Sequence, residues 1–493
     1  MNRRQAIAAG LGAGLAACST GRAAKRPNIL FVMTDDHATS ALGCYGNSIV
    51  RTPVLDRLAS EGVRFSNSFC TNSLCAPGRA TTITGTYSHR NRILGNSEMK
   101  GQEEHLNQSL PTYPRVLKAN GYRTSFVGKW HMSDNPQGFD YWCALPGQGV
   151  YFDPEFIENG HRKKFTGYAT DVTTDLALRA LEQSSGDKPW CLVYQHKAPH
   201  RPFLPPPRYA KLYDGVEIPY PATFDDDYAT RKIAAAAEDM RLDLSLEPDY
   251  RKEIPKGLDA AAKKRWIYQR FVKDYYGAIA GIDDNLGRLF DQLRKTNQYD
   301  NTLIIYTTDN GFFVGDHGWY DKRFMYEPSL RVPLIIRPPG GMASSRTTDA
   351  FALNIDYAST ILDYAGCPIP AEMQGRSLRP LLESAAAPAD WRTSMYYAYY
   401  ENSWVLAGKG KDAMSDPSFA FFTPHRIGPH RGVRTATHKL IHYYSEGEYW
   451  ELFDLTKDPN ELNNLYGKPE VGALTGELKA ELAKLRRQYS DLA

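Results

Sequence analysis

The run from Asn28 to Met33 (NILFVM) constrains this chain more than any other stretch. Apolar side chains on successive residues leave no polar face, so a strand here must be covered on both sides, as in a parallel sheet clad by helices. Thr124–Val127, Trp190–Gln195, Thr302–Thr307 and Val332–Ile336 are further strand candidates. Helical spacing lies between them. Leu55, Leu58 and Ala59 share one face of a helix expected from Pro53 to Gly62. Ile267, Phe271, Tyr275, Ile279, Ile282, Leu286 and Leu293 line a long amphipathic one. Repeated βα alternation predicts a doubly wound α/β sheet, with its site at the carboxyl ends of the strands.

The texture changes after Ala385. Met395–Tyr400, Gly432–Tyr444 and Trp450–Leu455 read as strands joined by polar turns, and Leu478, Leu482, Leu485 and Tyr489 mark a closing helix. A small antiparallel sheet with one helix, packed on the main domain, is expected. Because 493 residues exceed one compact core, the chain divides into a leader (1–24), a large α/β domain (25–385) and a C-terminal subdomain (386–493). Asn402–Pro424, rich in Gly, Lys, Ser, Asp and aromatics, reads as a long surface loop.

At the N-terminus, Arg3-Arg4 precede an apolar Ala/Gly-rich stretch ending in Leu15-Ala16-Ala17-Cys18. This resembles a bacterial lipoprotein signal in which Cys18 receives lipid. The paired arginines also resemble a twin-arginine leader, and Sec export stays equally open. The expected location is therefore periplasmic or cell-surface, with membrane attachment only through that lipid. No later stretch is long and apolar enough to span a bilayer. The net charge of +3, without a basic run, argues against a nucleic-acid partner.

Polar clusters follow the strands. Thr34-Asp35-Asp36 follows the first, and Thr308-Asp309-Asn310-Gly311 follows the strand beginning near Leu303. Three carboxylates and an amide suit Ca²⁺ or Mg²⁺ and lack the nitrogen or sulfur zinc prefers. Taken singly, each pair reads as a helix cap or turn; two pairs at strand ends point to a site. Gly128-Lys129-Trp130-His131, Ala198-Pro199-His200 and Gly315-Asp316-His317-Gly318-Trp319-Tyr320-Asp321-Lys322 lie at the same inferred edge. Cys75-Ala76-Pro77-Gly78-Arg79-Ala80, with Thr84-Gly85 beyond it, places a thiol beside a helix expected to begin at Pro77, where a developing anion is stabilised.

That last segment resembles the type I sulfatase signature Cys-x-Pro-x-Arg followed by Thr-Gly, with Gly78 where Ser is common. The resemblance implies an alkaline-phosphatase-like doubly wound, mostly parallel sheet with a smaller C-terminal α+β subdomain. It implies that a formylglycine-generating maturase oxidises Cys75 to Cα-formylglycine, whose hydrate is the nucleophile. Asp35, Asp36, Asp309, Asn310 and residue 75 would hold one calcium ion. Lys129 and His131 would lie near the aldehyde, and His200 and Lys322 at the sulfate. Arg79, Lys129, Lys322 and calcium would absorb charge moving towards the leaving oxygen. His200 would protonate that oxygen, and His131 would take the proton that lets the aldehyde re-form. Asp321 and His317 receive no firm role.

The likeness runs from Arg26-Pro27-Asn28 to Leu462-Asn463-Asn464-Leu465-Tyr466 and is strongest to bacterial N-acetylglucosamine-6-O-sulfatases, also called mucin-desulfating sulfatases. Gly138-Phe139-Asp140-Tyr141-Trp142, Leu145-Pro146-Gly147-Gln148-Gly149, His196-Lys197-Ala198-Pro199-His200-Arg201, Asp321-Lys322-Arg323-Phe324-Met325-Tyr326-Glu327 and His430-Arg431-Gly432-Val433-Arg434-Thr435 carry it. It implies a 6-O-sulfated N-acetylglucosamine or related sulfated carbohydrate as substrate, with His430 a candidate contact to a sugar hydroxyl. The long loop and Asn310, in place of the group's usual Gln, leave a carrageenan, ulvan or fucoidan fragment open. A phosphomonoester or phosphonate hydrolase of the same superfamily and a non-catalytic glycan-binding lipoprotein are the rival readings. With Cys18 and Cys75 modified, the remaining Cys44, Cys70, Cys143, Cys191 and Cys367 cannot all pair. No disulfide framework is expected, although one isolated bridge is allowed.

Overall fold

The computed structural model describes residues 26–96, 103–184, 186–246, 253–401, 427–444 and 448–492. Cys18 and the loop Asn402–Pro424 lie outside them. A ten-stranded sheet forms the main body. At its centre Asn28–Asp35 is buried at every residue and pairs in parallel with Trp190–Pro199 on one side and Thr302–Thr308 on the other. Arg123–Lys129 and then Tyr141–Leu145 extend the parallel block.

The central strand shows why the apolar run is continuous. Ile29, Phe31 and Met33 pack into one core with Phe126, Val193, Leu303, Tyr357 and Ile361. Leu30 and Val32 pack into another with Leu176, Leu192, Ile282, Leu286, Leu289 and Tyr306. Alternate residues serve opposite faces, so every position must be apolar. Emptying such a site, as Phe31→Ala would, costs about 3–5 kcal/mol.

The long helix Ala260–Lys295 lies over the second core. The Asp259 side chain accepts from the Ala262 amide at its start, and Arg294 and Lys295 sit in its last turn, complementing the helix dipole at its negative end. In the second half of this helix, Asp283 accepts from the amides of Val54 and Leu55. It thereby caps Pro53–Ser60, whose own N-cap Thr52 makes no side-chain cap bond.

The expected strand at Val332–Ile336 is realised as Leu334–Arg337, but it runs antiparallel to Thr302–Thr308. Val63–Phe65, Arg346–Thr348 and the hairpin Glu155–Glu158/His161–Lys164 complete the sheet. These strands are short or half-exposed and carry no continuous apolar run, so the pattern did not announce them.

The C-terminal part is a four-stranded antiparallel sheet: Ser394–Tyr399, His430–Thr435, His438–Tyr443 and Tyr449–Asp454. The stretch read as one run, Gly432–Tyr444, is thus two strands joined by a tight turn. The helix Gly472–Tyr489 packs on the sheet through Leu478, Leu482, Leu485 and Tyr489. Two contacts tie the sheet to the loop before Cys75. The Ala398 amide donates to the Thr71 carbonyl, and the Ser73 amide donates to the Tyr397 hydroxyl. Cys44, Cys70, Cys75, Cys143, Cys191 and Cys367 are all free, so the allowed bridge does not form among the described residues.

Candidate active site

Thr34 and Thr308 are register partners at the ends of adjacent parallel strands, and the Asp309 amide donates to the Thr34 carbonyl at 3.2 Å. The residues that follow, Asp35-Asp36 and Asp309-Asn310, therefore emerge side by side. The helix Cys75–Thr84 runs into the same edge with all ten residues buried. It begins at Cys75, two residues before the expected Pro77. Pro77 lies in its first turn, where its missing N–H costs nothing. A Cβ on Gly78 would collide with the Asp309 carbonyl oxygen, so the helix packs directly on the second metal-type pair.

One ligand atom from each of Asp35, Asp36, Cys75 and Asp309 lies within 4.8 Å of the others, and all four residues are buried. The Cys75 thiol sits 3.3 Å from Asp35 Oδ1 and 3.4 Å from Lys322 Nζ. Lys322 donates to both Asp36 oxygens at 2.7 and 2.8 Å, and Lys129 pairs with Asp35 and with Gln148 Oε1 at 2.7 Å. The Asn310 amide group donates to Asp36 Oδ1 at 2.7 Å, while its buried Oδ1 has no partner.

The charges report how crowded the centre is. Burial pushes Asp309 up to about 7, and the Asp35 charge adds to this against the pull of Arg79. Burial also opposes ionisation of Asp35, but Lys129, His200, Arg79 and Lys322 outweigh it and hold the carboxyl well below its ordinary range. Three buried carboxylates gathered within 4.8 Å of one another, beside an orphaned carboxamide oxygen, suit a hard divalent cation. The residues present therefore fit calcium.

Cys75 itself departs from the expectation of an anion-favouring position. Burial, and then the Asp35 charge, push its thiol well above the ordinary range. The unmodified side chain is a protonated thiol and a poor nucleophile.

Arg79 is also placed differently from the role expected for it. Its Nε and Nη2 both donate to Asp309 Oδ2, at 3.1 and 2.8 Å, and its Nη1 donates to the Lys129 carbonyl and Gln195 Oε1, both at 2.7 Å. With its donors engaged, it orients Asp309 and ties two strand ends together rather than reaching for a substrate oxygen.

His200 reaches the centre: one ligand atom each from His200, Asp35 and Cys75 lies within 4.8 Å of the others, and Nε2 is 3.7 Å from Asp36. Its Nδ1 is 2.9 Å from the Arg201 carbonyl. A carbonyl only accepts, so Nδ1 carries hydrogen and Nε2 faces the centre. Burial holds the imidazole well below its usual pKa, although the Asp35 charge opposes this.

His131 is buried two residues beyond Lys129, with φ of 56°. Asp321 sits between Arg323, at 3.0 Å, and Lys322, at 3.6 Å. His317 is buried among Phe313, Trp319 and Tyr326, its Nδ1 2.6 Å from Asp226, which Arg231 also grips.

His430 is fully buried. Its Nδ1 lies 3.0 Å from the Gly428 carbonyl, and the rings of Tyr443, Tyr399 and Tyr397 have centroids 4.9, 5.2 and 5.7 Å away. With no exposed surface, this ring packs the sheet instead of offering a sugar contact.

Sequence reasoning gave no role to Gln148, Gln195 or Lys197. The first two accept from Lys129 and Arg79, and Lys197 is buried beside His200. Gln148 and Lys197 lie in segments that carry the subfamily likeness, which was the available signal.

Helices on both faces of a mostly parallel sheet, with carboxylates, a helix-borne cysteine and two lysines at its carboxyl edge, define an alkaline-phosphatase-like hydrolase scaffold. Residues 27–367 match the Sulfatase family, and residues 404–488 match the family described as N-sulphoglucosamine sulphohydrolase, C-terminal. The chain belongs to the sulfatase family and is a sulfuric ester hydrolase.

It is 39% identical to an N-acetylglucosamine-6-O-sulfatase of Bacteroides thetaiotaomicron, covering 95% of this chain and 87% of that one. The human N-acetylglucosamine-6-sulfatase is 27% identical, covering 97% and 87%. A solved structure of a protein in complex with its substrate D-glucosamine-2-N,6-O-disulfate superposes with a TM-score of 0.85 at 38% identity, covering 95% and 99%. The phosphonate monoester hydrolase of Agrobacterium radiobacter shares the fold, with a TM-score of 0.72 at 23% identity, covering 94% and 96%.

Proposed function

We propose that this enzyme removes the 6-O-sulfate of N-acetylglucosamine or a closely related sulfated amino sugar, using formylglycine made from Cys75 and one calcium ion. The observation that carries the reading is 39% identity, over nearly the whole chain, to a relative named for that reaction. The gathering of Asp35, Asp36, Cys75 and Asp309 around one point supports it. Asp35, Asp36, Asp309, Asn310 and residue 75 would hold the metal. When present, calcium and the aldehyde hydrate supply an acidified hydroxyl nucleophile and positive charge for the sulfate oxygens.

The chain's own residues do the rest. Lys322 and Lys129, both beside residue 75, bind and neutralise the anionic ester. Arg79 keeps Asp309 oriented. His200 gives a proton from Nε2 to the departing sugar oxygen. Burial disfavours its charged form, and an anionic ester arriving at Nε2 restores it. His131 takes the proton whose removal regenerates the aldehyde. Export through the Arg3-Arg4 leader, with lipid on Cys18, would bring the enzyme to polymeric substrates outside the cytoplasm.

A panel of sulfated monosaccharides tests the reading, using protein produced with a maturase. Hydrolysis of 6-sulfated N-acetylglucosamine well above that of 2-, 3- and 4-sulfated sugars and of aryl phosphates is expected. A preference for carrageenan, ulvan or fucoidan fragments would overturn the substrate. Active enzyme carrying only a thiol at residue 75, by peptide mass spectrometry, would overturn the nucleophile.

A further inference from the structure

The strand Trp190–Pro199 ends in a turn in which the His200 amide donates to the Lys197 carbonyl at 3.1 Å. The Lys197 side chain folds back over this turn. Its ammonium is buried, lies 3.2 Å from the Arg201 carbonyl and stands 4.9 Å above the Tyr151 ring. The same Arg201 oxygen accepts from His200 Nδ1 at 2.9 Å. The Tyr151 hydroxyl in turn donates to the His200 carbonyl at 2.5 Å. Lys197, Tyr151 and the imidazole are therefore joined through two carbonyls of one short turn.

We infer that Lys197 is a positioning residue for catalysis, fixing the Arg201 carbonyl that holds the His200 ring with Nδ1 protonated and Nε2 turned to the reacting centre. A carbonyl oxygen has two lone pairs, and here the imidazole and the lysine take one each. The second donor pins the peptide plane, so the ring has a fixed acceptor and one favoured tautomer. Without it, the Arg201 oxygen loses one of the two donors that fix its direction, and the ring's acceptor is less firmly placed. The ring then loses both its orientation and the preference that leaves Nε2 open to take up, as the anionic ester arrives, the proton it passes to the leaving oxygen. A buried lysine requires compensation for the water it gave up, and a carbonyl together with an aromatic face supplies it. Neutral or charged, the amine still donates, so the arrangement does not depend on its protonation.

The inference rests on His200 acting as the proton donor proposed above, and the experiment separates the two. Lys197→Met keeps the length of the side chain and removes its donors. On a sugar sulfate it should lower kcat/KM by about 10–100-fold, the usual effect of losing a group that orients a catalytic side chain. On an activated aryl sulfate, which needs little protonation, the loss should stay within about 3-fold. In a His200→Ala background the same substitution should add less than about 2-fold. Lys197→Gln, which retains a donor, should recover most of the sugar-sulfate activity.

Nitrogen-15 spectra of histidine-labelled protein give a readout apart from turnover. The wild type should show His200 with Nδ1 protonated, and Lys197→Met a mixture of tautomers. An unchanged tautomer in Lys197→Met, full additivity with His200→Ala, or equal losses on both substrates where His200→Ala separates them would overturn the positioning role. If His200→Ala itself slows both substrates equally while the tautomer still follows Lys197, the fault lies with the proton-donor reading alone. If Lys197→Met does not fold, Lys197→Gln decides: both substrates turned over at near wild-type rates supports the inference, and equal loss on both overturns it.

Discussion

Arg79 grips a single oxygen of Asp309 with both Nε and Nη2, at 3.1 and 2.8 Å, and neither side chain has exposed surface. The signature arginine thus serves the second acidic pair, 230 residues away in sequence. Replacing it by Met would leave Asp309 buried beside Asp35 without its partner. Arg79→Met should lower the unfolding free energy of the metal-free protein by about 3–5 kcal/mol, the usual cost of breaking a buried pair from one side. Arg79→Lys should fall short of wild type, because an ammonium cannot make both bonds and also reach Gln195. Denaturant unfolding checks both.

Calcium should raise thermal stability in proportion to its binding. At a concentration 100 times its Kd, one site adds about 2.7 kcal/mol to the folded state. Asp35→Asn and Asn310→Ala should weaken that shift. Thorough chelation should abolish sulfate ester hydrolysis and added calcium restore it. Full activity in the chelated enzyme would rule the metal out.

His200→Ala should separate substrates by leaving group. Sugar sulfates, whose alkoxide must be protonated as it departs, should slow by about 100–10,000-fold, the range of general acid catalysis. Activated aryl sulfates should change little. Parallel falls would assign His200 to holding sulfate instead.

Glu451 gives a pH prediction away from the catalytic centre. Fully buried, it accepts from the hydroxyls of Tyr326, Tyr449 and Tyr443 at 2.8, 3.0 and 3.3 Å. Burial pushes its carboxyl up from 4.5 to about 7. A raised acid binds its proton more tightly in the folded state. Its contribution is therefore complete below pH 4.5, is lost as pH rises towards 7 and is flat above. Glu451→Gln should lack this loss. Its stability relative to wild type should improve by about 3 kcal/mol across that window. A constant difference between the two proteins would reject the buried acid.

Much of this was legible in the chain itself. Continuous apolar runs identified the parallel core, because a strand covered on both faces can hold nothing else. The acidic pairs, Cys75, Lys129, His200 and Lys322 were readable because each follows a strand or opens a helix at the same edge. Local pattern could not show direction or partnership. Leu334–Arg337 looks like the parallel strands yet runs antiparallel, since strand direction is set by the path of the intervening chain. Arg79 looked like a substrate cation until register brought Asp309 against it. His430 looked like a sugar contact until three tyrosines enclosed it. Lys197 gained its place only when the turn after the strand folded it onto the carbonyl that His200 also uses. The sequence determined which chemistries were available; long-range packing decided which side chains share an atom, because contacts across hundreds of residues leave no periodic trace.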